Sequence, residues 1–345
     1  MTFLTSSIDW FLGRRASHMG AEQYVAHGGF RAGQSTSGAA LWAAAEAERY
    51  AASGNMVNAE TNLLQLVAKE ISQEIPTRTP VIELGPGTTT AFRNKTLPIV
   101  QAIQSRTCVL VDESTAFLRQ IANEDALDKN LKIQPIVDDF FENDTAYLDE
   151  QSLVCSFGST ISNIINPINA ELPRIALTQS LSKMACAARS GWLMVGFDSD
   201  QDGERIKSYF KKHALFQLNV FDRMATELPI TGDFDPLEFR YRPEWIAPSG
   251  QLAHVALANR TMNFQIGTTS ISLKKDQKLH IKNSYKFMPE FFEACCYAAG
   301  LEVIKSWSNG SPARIYLLKL HSRIDSLNSS LHLNQSWSDN IQAAE

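Results

Sequence analysis

The sequence predicts an α/β protein: a doubly wound, mainly parallel sheet accompanied by a second, smaller α+β domain. Three observations predict it. In the middle of the chain, apolar runs without polar alternation (Val81 to Leu84, Cys108 to Val111, Ile133 to Val137, Leu153 to Phe157, Trp192 to Phe197) alternate with helical stretches. Such runs suit strands buried on both faces of a parallel sheet. From about Asp200 to His280 the pattern shifts to alternating segments around Leu252 to Ala258, Met262 to Ile266 and Ser270 to Leu273, which read as antiparallel strands of an inserted domain. The α/β texture then returns, with a helix from Pro289 to Ala299 closed by Gly300 and a strand pair around Asn309-Gly310.

The remaining elements follow in order. Residues 1 to about 70 read as helical, broken by glycines between Gly28 and Gly38, with Leu63, Leu64, Val67 and Ile71 on one face of a helix from about Glu60 to Ile75. The segment Pro76 to Pro80 ends that region, and a helix is expected from Glu204 to His213. The tail after His321 is polar and rich in Ser and Asn.

Composition bounds the function. A chain of 345 residues with 44% hydrophobic residues has room for about two domains with real cores. Lys and Arg total 32 against 37 Asp and Glu, so no overall basic field exists to hold nucleic acid. The 5 cysteines include no CxxC and sit mostly in apolar surroundings, which suits a reducing, cytoplasmic setting. The amino terminus has the wrong charge order for a secretory signal, and no apolar run is long enough for a membrane span. Neither a metal-ligand spacing among the 7 histidines nor a GxSxG or P-loop pattern occurs.

The chemistry-bearing segment is Glu83-Leu84-Gly85-Pro86-Gly87, a buried strand running into a GxG turn where backbone amides approach a ligand's charged end. A second strand ends in Asp112, where a doubly wound sheet places an acid to accept bonds from ribose hydroxyls. A third ends in Asp138-Asp139-Phe140, an acid and an aromatic suited to an adenine, and a fourth at Phe157 to Asn163. Thr88 to Thr90 stand where a dinucleotide fingerprint wants a third glycine. The reading therefore leans from NAD toward S-adenosylmethionine (SAM).

On these residues the sequence resembles the histidine-specific SAM-dependent methyltransferase family, from about Tyr50 to Leu320. Glu83 to Gly87 resembles the family's cofactor loop, Lys95-Thr96 its Lys-Thr segment, Asp112 its ribose-binding acid, and Asp139-Phe140 its adenine-holding pair. The stretch Phe157 to Asn163 is similar to the family's Gly-Gly-Thr-Ile-Gly-Asn segment, whose Asn belongs to the substrate pocket. Asn283 to Phe287 is similar to its Ser-Tyr-Lys-Tyr ending, and Asp233 to Pro236 to a phrase of its substrate domain. The resemblance implies a class I SAM-methyltransferase, Rossmann-like fold that uses SAM, releases S-adenosylhomocysteine (SAH) and holds the cofactor with Glu83, Gly85, Gly87, Lys95, Asp112, Asp139 and Phe140. It implies a substrate pocket of Tyr50, Asn163, Tyr209, Lys282 and Ser284, and a small-molecule partner rather than nucleic acid or membrane.

Lys282 stands where amino-acid-methylating members carry a Glu that grips the substrate's ammonium. A cation accepts no such bond and repels an ammonium in a desolvated pocket. Lys282 suits a carboxylate or phosphate partner, or a base when burial lowers its pKa. The expected domains are a core of 71–199 completed by 281–322, a substrate-binding domain of 1–70 and 200–280, and a polar tail of 323–345. The expected activity is methyl transfer from SAM to nitrogen of a small amine or amino-acid-like metabolite. Transfer to oxygen or carbon of an anionic acceptor, and a catalytically inactive binding protein on the same fold, are the alternatives.

Overall fold

The computed structural model describes residues 2–14, 19, 23, 38–51, 56–124, 130–140, 146–163, 173–189 and 191–320. The expected tail and the glycine breaks between 28 and 37 lie outside them. Strand β1 (Val81–Leu84) pairs in parallel with β2 (Thr107–Asp112) on one side and β4 (Leu153–Ser156) on the other. Beyond them, β3 (Lys132–Val137) pairs in parallel with β2, and β5 (Trp192–Asp198) with β4. Strand β13 (Ala313–Leu320) runs antiparallel to both β5 and β12 (Leu301–Trp307), closing a 7-stranded sheet of order β12-β13-β5-β4-β1-β2-β3. The order in which strands are added reverses between β1 and β4, and a crevice opens there at the carboxyl ends of the strands.

Both faces of this sheet are covered, which is why its strands lack polar alternation. On one face Ile82, Val109, Val154 and Leu193 pack with Leu177 and Leu181 of a long helix and Phe292 and Cys295 of another. Those two helices span Pro173–Ala187 and Pro289–Ala298. Against the other face lies a helix over Met56–Glu70, whose Leu63, Leu64 and Val67 meet Val81, Cys108, Leu110 and Leu153. By its packing, this helix in the stretch expected to serve the substrate domain joins the core sheet. Of the five cysteines four are buried and Cys186 is exposed.

Two sequence expectations need correction. Strand β3 was expected to be buried on both faces, yet it alternates between exposed and half-buried positions because it is the edge strand, and Pro135 suits an edge. The segment around Leu252 was expected to alternate, yet every residue of β8 (Gln251–Ala258) is buried. It is the middle strand between β7 (Phe239–Ile246) and β11 (Lys278–Tyr285), both antiparallel to it. A second small antiparallel sheet joins β6 (Ile230–Gly232), β9 (Met262–Ile266) and β10 (Thr269–Leu273).

The core of this smaller unit is aromatic. Phe221 and Phe239 stack with centroids 3.8 Å apart, and Phe264 meets Phe11 edge-on. Trp10 of the amino-terminal helix, Phe3–Phe11, closes it and donates its indole N–H to the His280 carbonyl at 2.7 Å. The helix over Ala214–Glu227, unmarked in the sequence reading, supplies Leu218, Val220 and Met224. Among the described residues no helix is long and apolar enough to cross a membrane.

One buried ion pair ties β11 to the central sheet. Lys286, just past β11, lies 2.5 Å from Asp198 at the end of β5, both largely buried. Removing one partner strands the other charge. Lys286→Met is therefore expected to lose about 3–5 kcal/mol of unfolding free energy. A double variant Lys286→Met, Asp198→Leu is expected to recover much of it, as read by denaturant titration.

Candidate active site

The crevice at the carboxyl ends of β1, β2 and β4 deepens into a cavity of about 440 Å³ that continues to β11 of the smaller unit. At its first end lie Gly85 and Gly87, with φ of +71° and +67°. A Cβ on Gly85 would stand 3.0 Å from the Thr160 methyl group, so glycine is required there for conformation and for space. Thr88 caps the helix over Thr89–Asn94, accepting from the Ala91 N–H at 3.1 Å, and its hydroxyl donates to the Glu46 carboxylate.

Buried charge dominates this end. Lys95 sits at the kink between the helix just named and the next, Thr96–Ala102, with its Nζ 2.9 Å from Glu60. The Glu60 carboxylate also accepts the Gly158 N–H at 2.9 Å. Burial works to lower the Lys95 pKa, but Glu60, with Tyr50 and Glu46 nearby, outweighs it and keeps the ammonium charged above its usual value. Glu83 is buried beside them, and desolvation pushes its carboxyl well above the ordinary range, against the pull of Thr96 and Lys95.

Asp112 at the end of β2 is pushed up to about 6 by desolvation, although the backbone N–H groups of Ser114 and Gly87 favour its charged form. The Ser114 N–H bond measures 2.7 Å. Asp139 and Phe140 line the same wall. All seven expected cofactor residues, Glu83, Gly85, Gly87, Lys95, Asp112, Asp139 and Phe140, therefore border one cavity. The cradle fits a SAM: two glycines open the backbone, a desolvated carboxylate borders the cavity, and a buried lysine, held by Glu60, adds positive charge beside it.

At the second end, Asn163, Tyr209, Lys282 and Ser284 also border the cavity. Asn163 closes the short turn Thr160–Asn163 after β4, and Ser284 donates to its Oδ1 at 3.0 Å. A register shift between His280 and Lys282 breaks the β11 ladder, and past it Lys282 and Ser284 share one strand face. Lys282 is 5% exposed, and burial together with the Arg49 charge lowers its pKa to about 7. Its Nζ lies 5.2 Å from the Phe216 ring centroid.

Tyr50 is the one expected pocket residue that the structure does not bring to the cavity wall. The helix over Gly38–Ala51 presents Trp42, Glu46 and Arg49, which share a face by the i, i+4, i+7 rule. Tyr50 lies about 100° further round the helix, with its hydroxyl buried in the electrostatic neighbourhood of Lys95 and Glu46, and burial raises its phenol pKa. That helical spacing was the available signal for Arg49, whose guanidinium stacks on Trp42 at 4.5 Å and Tyr209 at 5.0 Å. Glu60 was signalled too, as an acid on the apolar stripe that also carries Leu64 and Val67. Gln217 is buried at the cavity, and its Oε1 and the Tyr209 hydroxyl have no hydrogen-bond partner among the described residues.

Comparison with known proteins decides the family. The model of the family described as histidine-specific, SAM-dependent methyltransferases matches residues 38–320. The chain belongs to that family. The methyltransferase is 36% identical over 303 residues to the uncharacterized protein y4iF of Sinorhizobium fredii, covering 82% of this chain and 99% of that one. It is 24% identical over 268 residues to the N-methyltransferase imqF of Aspergillus flavus, covering 72% and 70% of the two chains. Among solved structures it is similar to a SAM-dependent methyltransferase from Clostridium acetobutylicum, at 11% identity and a TM-score of 0.44, over 78% of this chain and 94% of that one.

A cofactor held by Asp112 is expected to bind with a pH dependence. Its charged form accepts hydroxyl hydrogens, so affinity for SAH is expected to hold above pH 6 and to fall below it, by at most about tenfold per unit. Asp112→Asn is expected to weaken SAH about 10- to 100-fold at pH 7.5 and to flatten the profile. Calorimetric titration between pH 5 and 8 measures both.

Proposed function

We propose that this methyltransferase moves a methyl group from SAM to the nitrogen of a small amine or amino-acid-like metabolite bearing a carboxylate. The observation that carries the reading is the second end of the cavity, where a permanently charged guanidinium and a lysine of nearly neutral pKa face one space. The family description and the name of the fungal relative support nitrogen as the methylated atom.

When bound, the cofactor supplies an electrophilic methyl group on a sulfonium. Glu83, Gly85, Gly87, Asp112, Asp139 and Phe140 hold it at the strand ends, with Lys95 for its carboxylate. The smaller unit then excludes water and orients the acceptor. Arg49 cannot deprotonate in this setting, so it is the partner of the acceptor's carboxylate. Lys282, in the neutral form that predominates above about pH 7, takes the proton that the nitrogen loses, at Nζ. The Gln217 Oε1 and the Tyr209 hydroxyl offer hydrogen-bond partners to the acceptor, and Asn163 and Ser284 line the same space.

The two cations also favour a second reading, transfer to oxygen or carbon of an anionic acceptor. Incubation with methyl-labelled SAM and paired amines and amino acids, histidine with histamine and tryptophan with tryptamine, tests the choice by mass spectrometry and product NMR. Label on nitrogen of the carboxylate-bearing member is expected; label on oxygen or carbon supports the second reading. Absence of turnover with every acceptor, 2-oxo acids included, supports a binding protein instead. For a turned-over acceptor, kcat/KM is expected to rise with pH and level off above about 7, as Lys282 loses its proton. That limb is expected to vanish in Lys282→Met.

A further inference from the structure

Behind the acceptor end of the cavity, four polar side chains form a continuous line. The Tyr241 hydroxyl lies 2.7 Å from His254 Nδ1, His254 Nε2 lies 3.0 Å from Ser284 Oγ, and Ser284 Oγ lies 3.0 Å from Asn163 Oδ1. The line crosses three adjacent strands. In the ladders Tyr241 of β7 stands opposite Ala256, Lys282 of β11 stands opposite His254, and Ser284 stands opposite Leu252. Each contact is therefore a diagonal neighbour on the sheet, within reach of a long side chain. The last link leaves the small sheet for the turn after β4, so the line joins the smaller unit to the central one.

Its direction follows from donor arithmetic. Among the described residues the Tyr241 hydroxyl has one hydrogen-bond contact, His254 Nδ1. Were Nδ1 to carry the hydrogen, the phenol O–H would be left without an acceptor, which costs the full desolvation of that group. The phenol therefore donates, Nδ1 accepts, and the single ring hydrogen sits on Nε2. From there Nε2–H donates to Ser284 Oγ, and the serine hydrogen passes on to Asn163 Oδ1. Such a relay needs a neutral ring. His254 is fully buried, and desolvation, with Lys282, His280 and Lys286 adding positive charge, holds it well below its ordinary pKa.

We propose that Tyr241 and His254 are positioning residues that drive a one-way hydrogen-bond relay through Ser284 into the Asn163 carbonyl, so that Asn163 turns N–H donors toward the methyl acceptor. The group of the acceptor that faces Asn163 is then itself a hydrogen-bond acceptor, such as a carboxylate or carbonyl oxygen. This rests on the methyl-transfer reading only for what occupies the cavity. The relay itself is a property of the chain without ligand.

The test needs no substrate. The full chain labelled with nitrogen-15 in histidine rings and in asparagine side-chain amides is examined at pH 7.5 by long-range proton–nitrogen correlation. The His254 and Asn163 signals are identified by their loss in His254→Gln and Asn163→Asp. If either variant fails to fold, His254→Asn or Asn163→Ser supplies the assignment in its place. Wild-type His254 is expected as the neutral ring with hydrogen on Nε2. Tyr241→Phe, which removes one hydrogen bond, is expected to raise the Nδ1–H form about five-fold. It is also expected to shift the Asn163 amide, three hydrogen bonds away, while SAH affinity stays at the wild-type value. A wild-type ring charged or protonated on Nδ1 would overturn the relay, as would an Asn163 amide unmoved by Tyr241→Phe. Neither result depends on turnover, so methyl transfer stands or falls separately with the labelled-SAM experiment.

Discussion

The cofactor end of this protein depends on the burial of the Lys95 charge. An ammonium with 4% exposure is tolerable only beside an anion in good geometry, and Glu60 provides it at 2.9 Å. The same carboxylate accepts the Gly158 N–H, so one acid satisfies two donors from two further segments. Glu60 lies on the Met56–Glu70 helix, Lys95 at a helix junction after β1, and Gly158 in the turn after β4. None of these three segments can shift without exposing an unpaired charge to an apolar surrounding. The space available between lysine and turn is equally fixed, since a Cβ on Gly158 would come within 3.0 Å of Lys95 Nζ. The cradle is thus organised before a ligand arrives, which reduces what binding must spend on ordering.

Three buried lysines border the cavity, and their neighbours set them apart. Lys95 and Lys286 each have a carboxylate within 3 Å. Lys282, on the same strand face as Ser284, has the Arg49 charge in its surroundings, and burial and that charge both favour its neutral form. Lys282, Ser284 and Lys286 stand at every second position, so β11 and the residue after it bring a buried amine, a hydroxyl and an ion pair to one cavity. The strand can do this because the register shift before Lys282 sets its alternation and the Lys286 pair with Asp198 anchors its end.

Legibility in the sequence divides along the same line. The parallel strands were plain as apolar runs, and most of the expected cofactor residues stood out because they belong to a strand or to the turn directly after it. Glu83 with Gly85 and Gly87, Asp112, and Asp139 with Phe140 are short-range patterns whose meaning survives in one dimension. The edge position of β3 and the middle position of β8 were not legible, because burial there depends on sheet order rather than on the strand's own residues. On the Gly38–Ala51 helix a resemblance pointed to Tyr50, whereas helical phase puts Arg49 on the cavity. Tyr241 and His254 carried no signal of their own; diagonal contacts across antiparallel strands join residues 13 and 30 positions apart.

That division has a physical origin. A cofactor shared across a family is met by backbone and by residues locked to strand ends, where any change disturbs the sheet itself. An acceptor is met by side chains projecting from a separate antiparallel unit, where one substitution alters charge without moving the backbone. Lys282 shows how far such a change reaches. With a carboxylate at this position, the neighbouring Arg49 charge would face an anion fixed in the protein. With lysine there, the same guanidinium adds to the positive field that lowers the amine's pKa. A carboxylate entering the cavity would raise the affinity of Lys282 for a proton. Under the proposed reaction, binding of the anionic group and uptake of the proton released by the nucleophile would favour one another, which is the coupling a carboxylate-bearing amine would require.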